Sequence, residues 1–353
     1  MRRIRRVLTV AAVTATIGGT VALTPGSASA ATTLVVRRGQ SIQAAVNRAH
    51  AGDTILIKPG VYRQSVLVTK SHLRIRGSGN TARGTVLMPG NPKANECAKN
   101  ASGFCVVGLG KARVTDVTID DLRTVGYGDS GVIAFHAANL NVYNVVANHN
   151  GGYGIARFDT TGGQLLNNTT IDNEEAGLYI GDSPNADVFV AANRTSQNGF
   201  GILYRHSRNA QFAVNNVHDN CIGIFMVSAP PKPPTGGAFV GGNTVWRNNK
   251  FCKGNPEEVP FNYSGAGIVL LGATGVVIEN NAVLSNRGST LVSGGIVLLN
   301  GAAVGAGPST NNIVRNNTAY RDAPADIVNH SGGSNTFRNN FCTRSIPGGL
   351  CRH

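Results

Sequence analysis

Gly131-Val-Ile-Ala-Phe-His136, Gly154-Ile-Ala-Arg-Phe-Asp159, Gly177-Leu-Tyr-Ile-Gly-Asp182, Gly201-Ile-Leu-Tyr-Arg-His206 and Gly223-Ile-Phe-Met-Val-Ser228 are copies of one six-residue frame. Their opening glycines stand 23, 23, 24 and 22 residues apart. The frame returns as Gly267-Ile-Val-Leu-Leu-Gly272 and Gly295-Ile-Val-Leu-Leu-Asn300, and more weakly as Asp326-Ile-Val-Asn-His-Ser331. A fixed period of this length is the signature of a solenoid, whose repeats bury their apolar faces by stacking on one another. A second column keeps the same register: a hydrophobic pair followed by asparagine, at Asn168, Asn193, Asn216, Asn243, Asn281, Asn317 and Asn340. Asparagine tolerates left-handed backbone and can hydrogen-bond its own copy one strand spacing away. Two short strands per period, each closed by a Gly or Asn turn, predict an all-β, single-domain parallel β-helix. Helical repeats would need longer apolar stripes at 3.6-residue spacing, and the sequence has none.

Composition agrees. Of 353 residues, 45 are glycine, and only 14% are charged and 6% aromatic, which suits a turn-rich β protein with a narrow aliphatic core. Residues 1–30 read as an export signal. Arg2, Arg3, Arg5 and Arg6 precede an apolar run from Val7 to Leu23, and Ala28-Ser29-Ala30 offers a small-residue cleavage site. The expectation is a secreted, extracellular protein, with the general and the twin-arginine export routes both open. No later stretch has enough consecutive apolar residues to span a bilayer. The formal net charge is +14, which becomes +10 when the four signal arginines are removed. Such a surface favours anionic partners, acidic polysaccharides among them. The basic residues are scattered, without a dense run or interleaved aromatic platforms, which argues against nucleic acid.

All six cysteines, Cys97, Cys105, Cys221, Cys252, Cys342 and Cys351, lie after the signal. An even count in an exported chain predicts disulfides, and sequence proximity favours Cys97–Cys105, Cys221–Cys252 and Cys342–Cys351 among the formal pairings. A metal site would need CxxC-type clustering, which is absent.

Residues 31–90 form the amino-terminal cap and first coils of the 31–353 domain. Thr33–Val36 is a short strand and Ser41-Ile-Gln-Ala-Ala-Val-Asn-Arg-Ala49 a short amphipathic helix capped by Ser41. Ala51–Tyr62 gives a turn, an alternating strand and a second turn at Pro59-Gly60, with further strands at Ser65–Thr69, Leu73–Arg76 and Thr85–Met88. A solenoid end exposes an unpaired strand row, so a covering helix is expected there. The Ser-Ile-Gln-Ala-Ala-Val helix followed by Gly52-Asp-Thr-Ile-x-Ile-x-Pro-Gly-x-Tyr62 resembles the amino-terminal cap of pectate-lyase-like right-handed β-helix proteins. The later Gly-Ile and Asn-Asn repeats resemble the same superfamily. That resemblance implies a right-handed coil. It leaves activity open, because the superfamily holds polysaccharide lyases, glycoside hydrolases, epimerases, phage depolymerases and non-catalytic proteins.

Insertions depart from the period. Gly223 and Gly267 stand 44 residues apart, and the excess within 229–263 lies in Ala229-Pro-Pro-Lys-Pro-Pro234 and in Asn249–Tyr263. The proline run is stiff and cannot join a sheet. Loops on one side of a solenoid can wall a binding groove or be neutral decoration.

Neighbouring strands are about 4.8 Å apart, so the sixth frame position forms a column of His136, Asp159, Asp182, His206 and Ser228, continued by Gly272, Asn300 and Ser331. Ionisable residues occupy four consecutive coils and then stop. Two carboxylates on adjacent coils could share a proton, one acting as acid and the other staying ionised. They could instead hold calcium through oxygen ligands, at Asp159 and Asp182. Asp, Ser, Asn and Gly are also ordinary turn residues that bond local amides. Zinc shared by His136 and His206 is disfavoured by the three strand intervals between them. Arg157, Tyr179, Tyr204 and Arg205 lie in the same frames. If outward, Arg157 could clamp a substrate carboxylate, or serve as base as the resemblance to lyases implies. If inward, it is a buried structural arginine.

Three functions follow. The first is a secreted enzyme cutting or epimerising an acidic polysaccharide, with Asp159, Asp182, His136, His206 and Arg157 as catalytic candidates and Tyr179, Tyr204 and Arg205 as substrate contacts. The second is a non-catalytic polysaccharide- or cell-wall-binding β-helix. The third is a structural or maturation protein of the envelope, where three methionines and no Cys/His cluster argue against copper. The chain carries no Asn-Thr-Asp, Gly-His-Gly or Arg-Ile-Lys set like that of polygalacturonases, and no Asp-Pro-His-Asp like that of alginate epimerases.

Overall fold

Each period makes one winding of three short strands separated by tight bends. The computed structural model describes residues 30–255 and 259–352; the export-signal reading of residues 1–30 therefore falls almost wholly outside the described residues. One winding runs through Ala176–Gly181, Val188–Ala191 and Arg194–Ser196, and the next through Phe200–Arg205, Ala210–Ala213 and Asn216–His218. The sequence predicts two strands per period, and the structure has three. Between Val188 and Ser196 the chain turns at Ala192, whose φ of 55° breaks what reads as one strand into two.

Windings pair in parallel throughout the stack. Ile155, Leu178, Ile202, Ile224, Ile268, Ile296 and Ile327 face one another in register, so every predicted frame stacks as aligned in the sequence. The frame strands and middle strands merge at their shared bend into one sheet, and the third strands form a separate ten-stranded sheet. Alternate frame residues point into a continuous aliphatic core, and each fully buried Leu or Ile stabilises by roughly 1.5–3 kcal/mol. The frame-opening glycine is required by space: a Cβ on Gly201 would lie 2.4 Å from Cγ1 of Val217 and 2.6 Å from the Gly223 carbonyl oxygen.

Buried asparagines lock the winding pitch. Asn193 receives no side chain of its own kind by chance: its backbone N–H and Nδ2 both donate to Oδ1 of Asn215, at 3.0 and 2.9 Å, and Nδ2 also donates to the Leu165 carbonyl at 2.8 Å. The column is Asn168, Asn193, Asn215, Asn243, Asn281, Asn317 and Asn340. Asn216, expected in this column, sits one residue beyond it on the third strand, where its Oδ1 accepts from Trp246 Nε1 at 2.9 Å. A second, unforeseen ladder closes the other end of the third strands through Asn150, Asn173, Asn198, Asn220, Asn248 and Asn286, ending on Asp322.

The helix Ile42–Arg48 closes the first winding, its Ala44 N–H donating to Ser41 Oγ and its Ile42, Ala45 and Val46 buried. Cys97–Cys105, Cys221–Cys252 and Cys342–Cys351 are bonded as proximity favours. The insertion between Gly223 and Gly267 is divided, because strands Phe239–Gly241 and Thr244–Trp246 lie between its proline run and its second loop.

Candidate functional site

The sixth frame position is the bend between the frame and middle strands, and its backbone geometry selects the residues found there. His136, Asp159, Asp182 and His206 have φ of 51°, 46°, 50° and 51°. This left-handed region is open to glycine and, among other residues, most readily to Asn, Asp and His. Gly272 takes the same conformation further along the stack. The four side chains therefore line up at one edge of the solenoid, on successive windings.

They meet as two pairs. Nδ1 of His136 lies 2.6 Å from Oδ2 of Asp159, and Nδ1 of His206 lies 3.0 Å from Oδ1 of Asp182. Each carboxylate also has a cation. Arg113 donates through Nη2 to Asp159 Oδ1 at 2.7 Å and through Nη1 to the Asp159 carbonyl. Lys232 Nζ stands 3.4 Å from Asp182 Oδ2. The row thus reads cation, His–Asp, Asp–His, cation, with the carboxylate side chains 47% and 32% exposed for Asp159 and Asp182. Burial pushes the Asp182 carboxyl up, but His206 and Lys232 outweigh it and hold the group below its usual range. His206 is nearly enclosed; its backbone N–H donates to Thr235 Oγ1 at 2.6 Å. The Nε2 atoms of His136 and His206 are both closed off from solvent without a hydrogen-bond partner.

Neither cation is singled out by the sequence reading. Lys232 stands in the proline run, so that insertion supplies a member of the row. Arg113 comes from the irregular stretch after strand Phe104–Val107, which carries no frame to align it.

The remaining candidates separate by face. Arg157 points into the solenoid, fully enclosed at the register position between Ala134 and Ile180. Its Nε donates to Thr160 Oγ1 at 3.1 Å and its Nη2 to the Gly162 carbonyl, and burial lowers it to about 10. It cannot touch a polysaccharide. Tyr204 is likewise interior, edge-on to Phe212 at 5.2 Å, with burial raising its hydroxyl. Both corrections share one cause: the fourth frame position faces inward. Tyr179 lies on the outer side of the frame sheet but is enclosed with Tyr153 and Phe158 at 4.9 and 4.6 Å. Its hydroxyl takes the space a Cβ would need on Gly181, beside Asp182. Arg205 is outward and half-buried, paired in register with Gly181 and so next to the row.

Calcium does not suit the carboxylates as arranged. Each of their four oxygens already faces a histidine, an arginine or a lysine, which leaves no free anionic set for a hard cation. Among the described residues no group of three or more His, Cys, Asp or Glu is placed to hold a metal ion. No helix among them is long and apolar enough to cross a membrane.

Immediately past the bend, a groove of about 930 Å³ runs across the outer face of the middle strands, from Asn139 and Asn141 to Gly275 and Val277. A second groove, of about 680 Å³, lies at the opposite bend between Glu174, Glu175 and the loop tethered by Cys252.

Comparison with known proteins bears on the fold. The family model described as right handed beta helix region matches residues 66–217. No curated protein matches the sequence significantly. Among solved structures, the A-module of the Azotobacter vinelandii mannuronan C-5 epimerase AlgE6 superposes with a TM-score of 0.56 at 18% identity, over 87% of this chain and 95% of that one. DFA-IIIase from Arthrobacter chlorophenolicus A6, in complex with GF2, gives 0.55 at 14% identity over 81% and 84%. The periplasmic alginate epimerase AlgG gives 0.53 at 14% identity over 82% and 71%. In its windings, its matched family model and its structural neighbours, the chain is a right-handed parallel β-helix protein.

Proposed function

We propose that this protein is a secreted carbohydrate-active β-helix that abstracts a proton from the uronate residues of an acidic polysaccharide, using the row from His136 to His206. The observation that carries this reading is the pair of adjacent carboxylates, each clamped between a histidine and a cation. Glycoside hydrolysis of the usual kind needs one carboxylic acid kept protonated. Asp182 is instead held ionised, which favours the base over the acid role. Elimination or epimerisation beside a uronate carboxylate needs a base, positive charge on that carboxylate, and a proton returned to the departing O4 or to the opposite face of C5, for which water at this exposed edge is the donor. Asp159 and Asp182, backed by His136 and His206, supply the first, and Arg113, Lys232 and Arg205 the second. The names of the fold neighbours, two of them alginate-type epimerases, agree with a uronate substrate. Three disulfides and the amino-terminal pattern of residues 1–30 support export.

A non-catalytic binder is the second reading, favoured by the closed-off Nε2 atoms of both histidines. Incubation of mature protein with pectic, alginate and glycosaminoglycan chains decides between them, with ultraviolet absorbance of unsaturated products, proton exchange at C5 and reducing ends as readouts. Turnover that Asp159→Asn and Asp182→Asn each reduce by at least roughly a hundredfold supports catalysis. Binding without turnover, unchanged in both variants, would sink it.

A further inference from the structure

The groove on the middle strands presents a different chemistry from the row. Residues Asn141, Gln164, Phe189, Gln211 and Phe239 stand in one register column on its outer face, one per winding. All five line the groove. Phe189 and Phe239 are 36% and 37% exposed, and both present that surface to the same groove. The ring of Phe239 leans over Gly241, its Cε1 2.3 Å from where a Cβ would be, so the glycine lets the ring lie down along the strand. Between the rings, the exposed Gln211 amide makes no hydrogen bond to the described residues. Along the bend the groove edge is lined by Gly162, Gly163, Gly237 and Gly275, all with positive φ and no side chain to obstruct an occupant.

Two windings separate Phe189 from Phe239, a rise of about 9.6 Å at the ordinary strand spacing. That is close to the length of two β-1,4-linked sugars, a linkage that turns alternate residues the same way up. Aromatic rings at this repeat can stack on every second sugar, while Gln211, Gln164 and Asn141 exchange hydrogen bonds with ring hydroxyls. Charge fixes the ligand class. The lining holds neither lysine nor arginine and a single carboxylate, Asp187, so it offers nothing to a polyanion. An uncharged chain is the complement.

From this column we infer that the groove is a second glycan site, which holds a neutral β-1,4-linked chain parallel to the solenoid axis, with Phe189 and Phe239 as platforms one disaccharide apart. This site goes beyond the proposed uronate chemistry and does not depend on it: an enzyme with both would anchor on a neutral wall glycan while acting on an acidic one.

Calorimetric titration of the mature protein tests it with cellobiose, cellohexaose, chitohexaose, maltohexaose and a mannuronate hexamer. Binding of cellohexaose or chitohexaose well above cellobiose is expected, because only the longer chains span both rings. Maltohexaose, whose α-linkage curls the chain, should bind at least tenfold more weakly, and the charged hexamer should not displace the neutral one. Phe189→Ala and Phe239→Ala should each lower affinity roughly two- to tenfold, with circular dichroism and melting unchanged, as befits side chains at the surface. Gly241→Ala, which displaces the Phe239 ring, should mimic Phe239→Ala. No binding of either neutral β-1,4 hexamer, displacement by the mannuronate hexamer, or full affinity in the double phenylalanine variant overturns the inference. Asp159→Asn/Asp182→Asn should leave this binding intact, so failure of the groove and failure of the row are read independently.

Discussion

Asp322 shows how one residue can carry a pH dependence into a repeat. It occupies the last rung of the second asparagine ladder, where its Oδ1 accepts from the Asn286 backbone N–H at 2.6 Å and from Nδ2 at 2.9 Å. Its Oδ2 is buried without a partner. Burial, with the neighbouring Asp326 carboxylate adding to it, pushes the group from an ordinary 3.8 up to about 8, against the donors of Asn286. The folded state therefore retains a proton that the unfolded chain releases above pH 4. Stability from this group is full below about pH 4 and is lost progressively as pH rises toward 8. Asp322→Asn keeps the acceptor and removes the charge. Its melting temperature should equal that of the parent at pH 4 and exceed it by a few degrees at pH 8 to 9; equal melting curves at pH 9 would contradict this. Residue identity was only partly readable in advance. The row from His136 to His206 was legible because equivalent letters recur at a fixed interval. The inward turn of Arg157 and Tyr204 was not, since apolar residues fill both the inner and the outer positions of the frame and alternation loses its contrast.

The bends and ladders are the elements that fix pitch, and here the asparagine doublets mislead. In Asn167-Asn168, Asn280-Asn281, Asn316-Asn317 and Asn339-Asn340 the first residue takes the left-handed bend and the second the buried rung. At Asn215-Asn216 the doublet is displaced by one: Val214 takes the bend, with φ of 49°, and Asn215 the rung. Identical letters gave no means to see the slip. Its energetic consequences are unequal. Asn215→Ala strips the acceptor from Asn193 and leaves buried donors and carbonyls unpaired, a loss of roughly 2–5 kcal/mol. Asn216→Ala, on the surface of the third strand, should cost under about 1 kcal/mol. Denaturant titration of the two variants measures the difference, and similar losses would mean that the rung is not at 215. A β-branched residue in a left-handed bend is strained by about 1–2 kcal/mol, and Val214 is mostly exposed. Val214→Asn, which restores the residue type of the other bends, should therefore stabilise by about 1 kcal/mol in the same assay.

Across the whole molecule, stability is a chain of contacts between neighbouring windings, so damage at one end should stay there. The helix Ile42–Arg48 is the test case. It lays Ile42, Ala45 and Val46 over the first windings, against strands Thr33–Val36, Thr54–Ile57 and Val66–Val68. Without it the apolar interior of the stack would open to water and the strand row beneath would offer unpaired backbone groups to a second molecule. Ile42→Asp/Val46→Asp places two charges where the core requires apolar surface, so the helix should detach. Hydrogen exchange should then accelerate through roughly the first two or three windings, while the windings from Gly131 onward keep their protection, because their rungs and frame contacts are untouched. The loosened end should also associate, seen as a concentration-dependent rise in apparent mass by light scattering. Uniform loss of protection along the chain would instead mean that the windings fold as one cooperative block, and the bends would have to be stiffer than pairwise stacking allows.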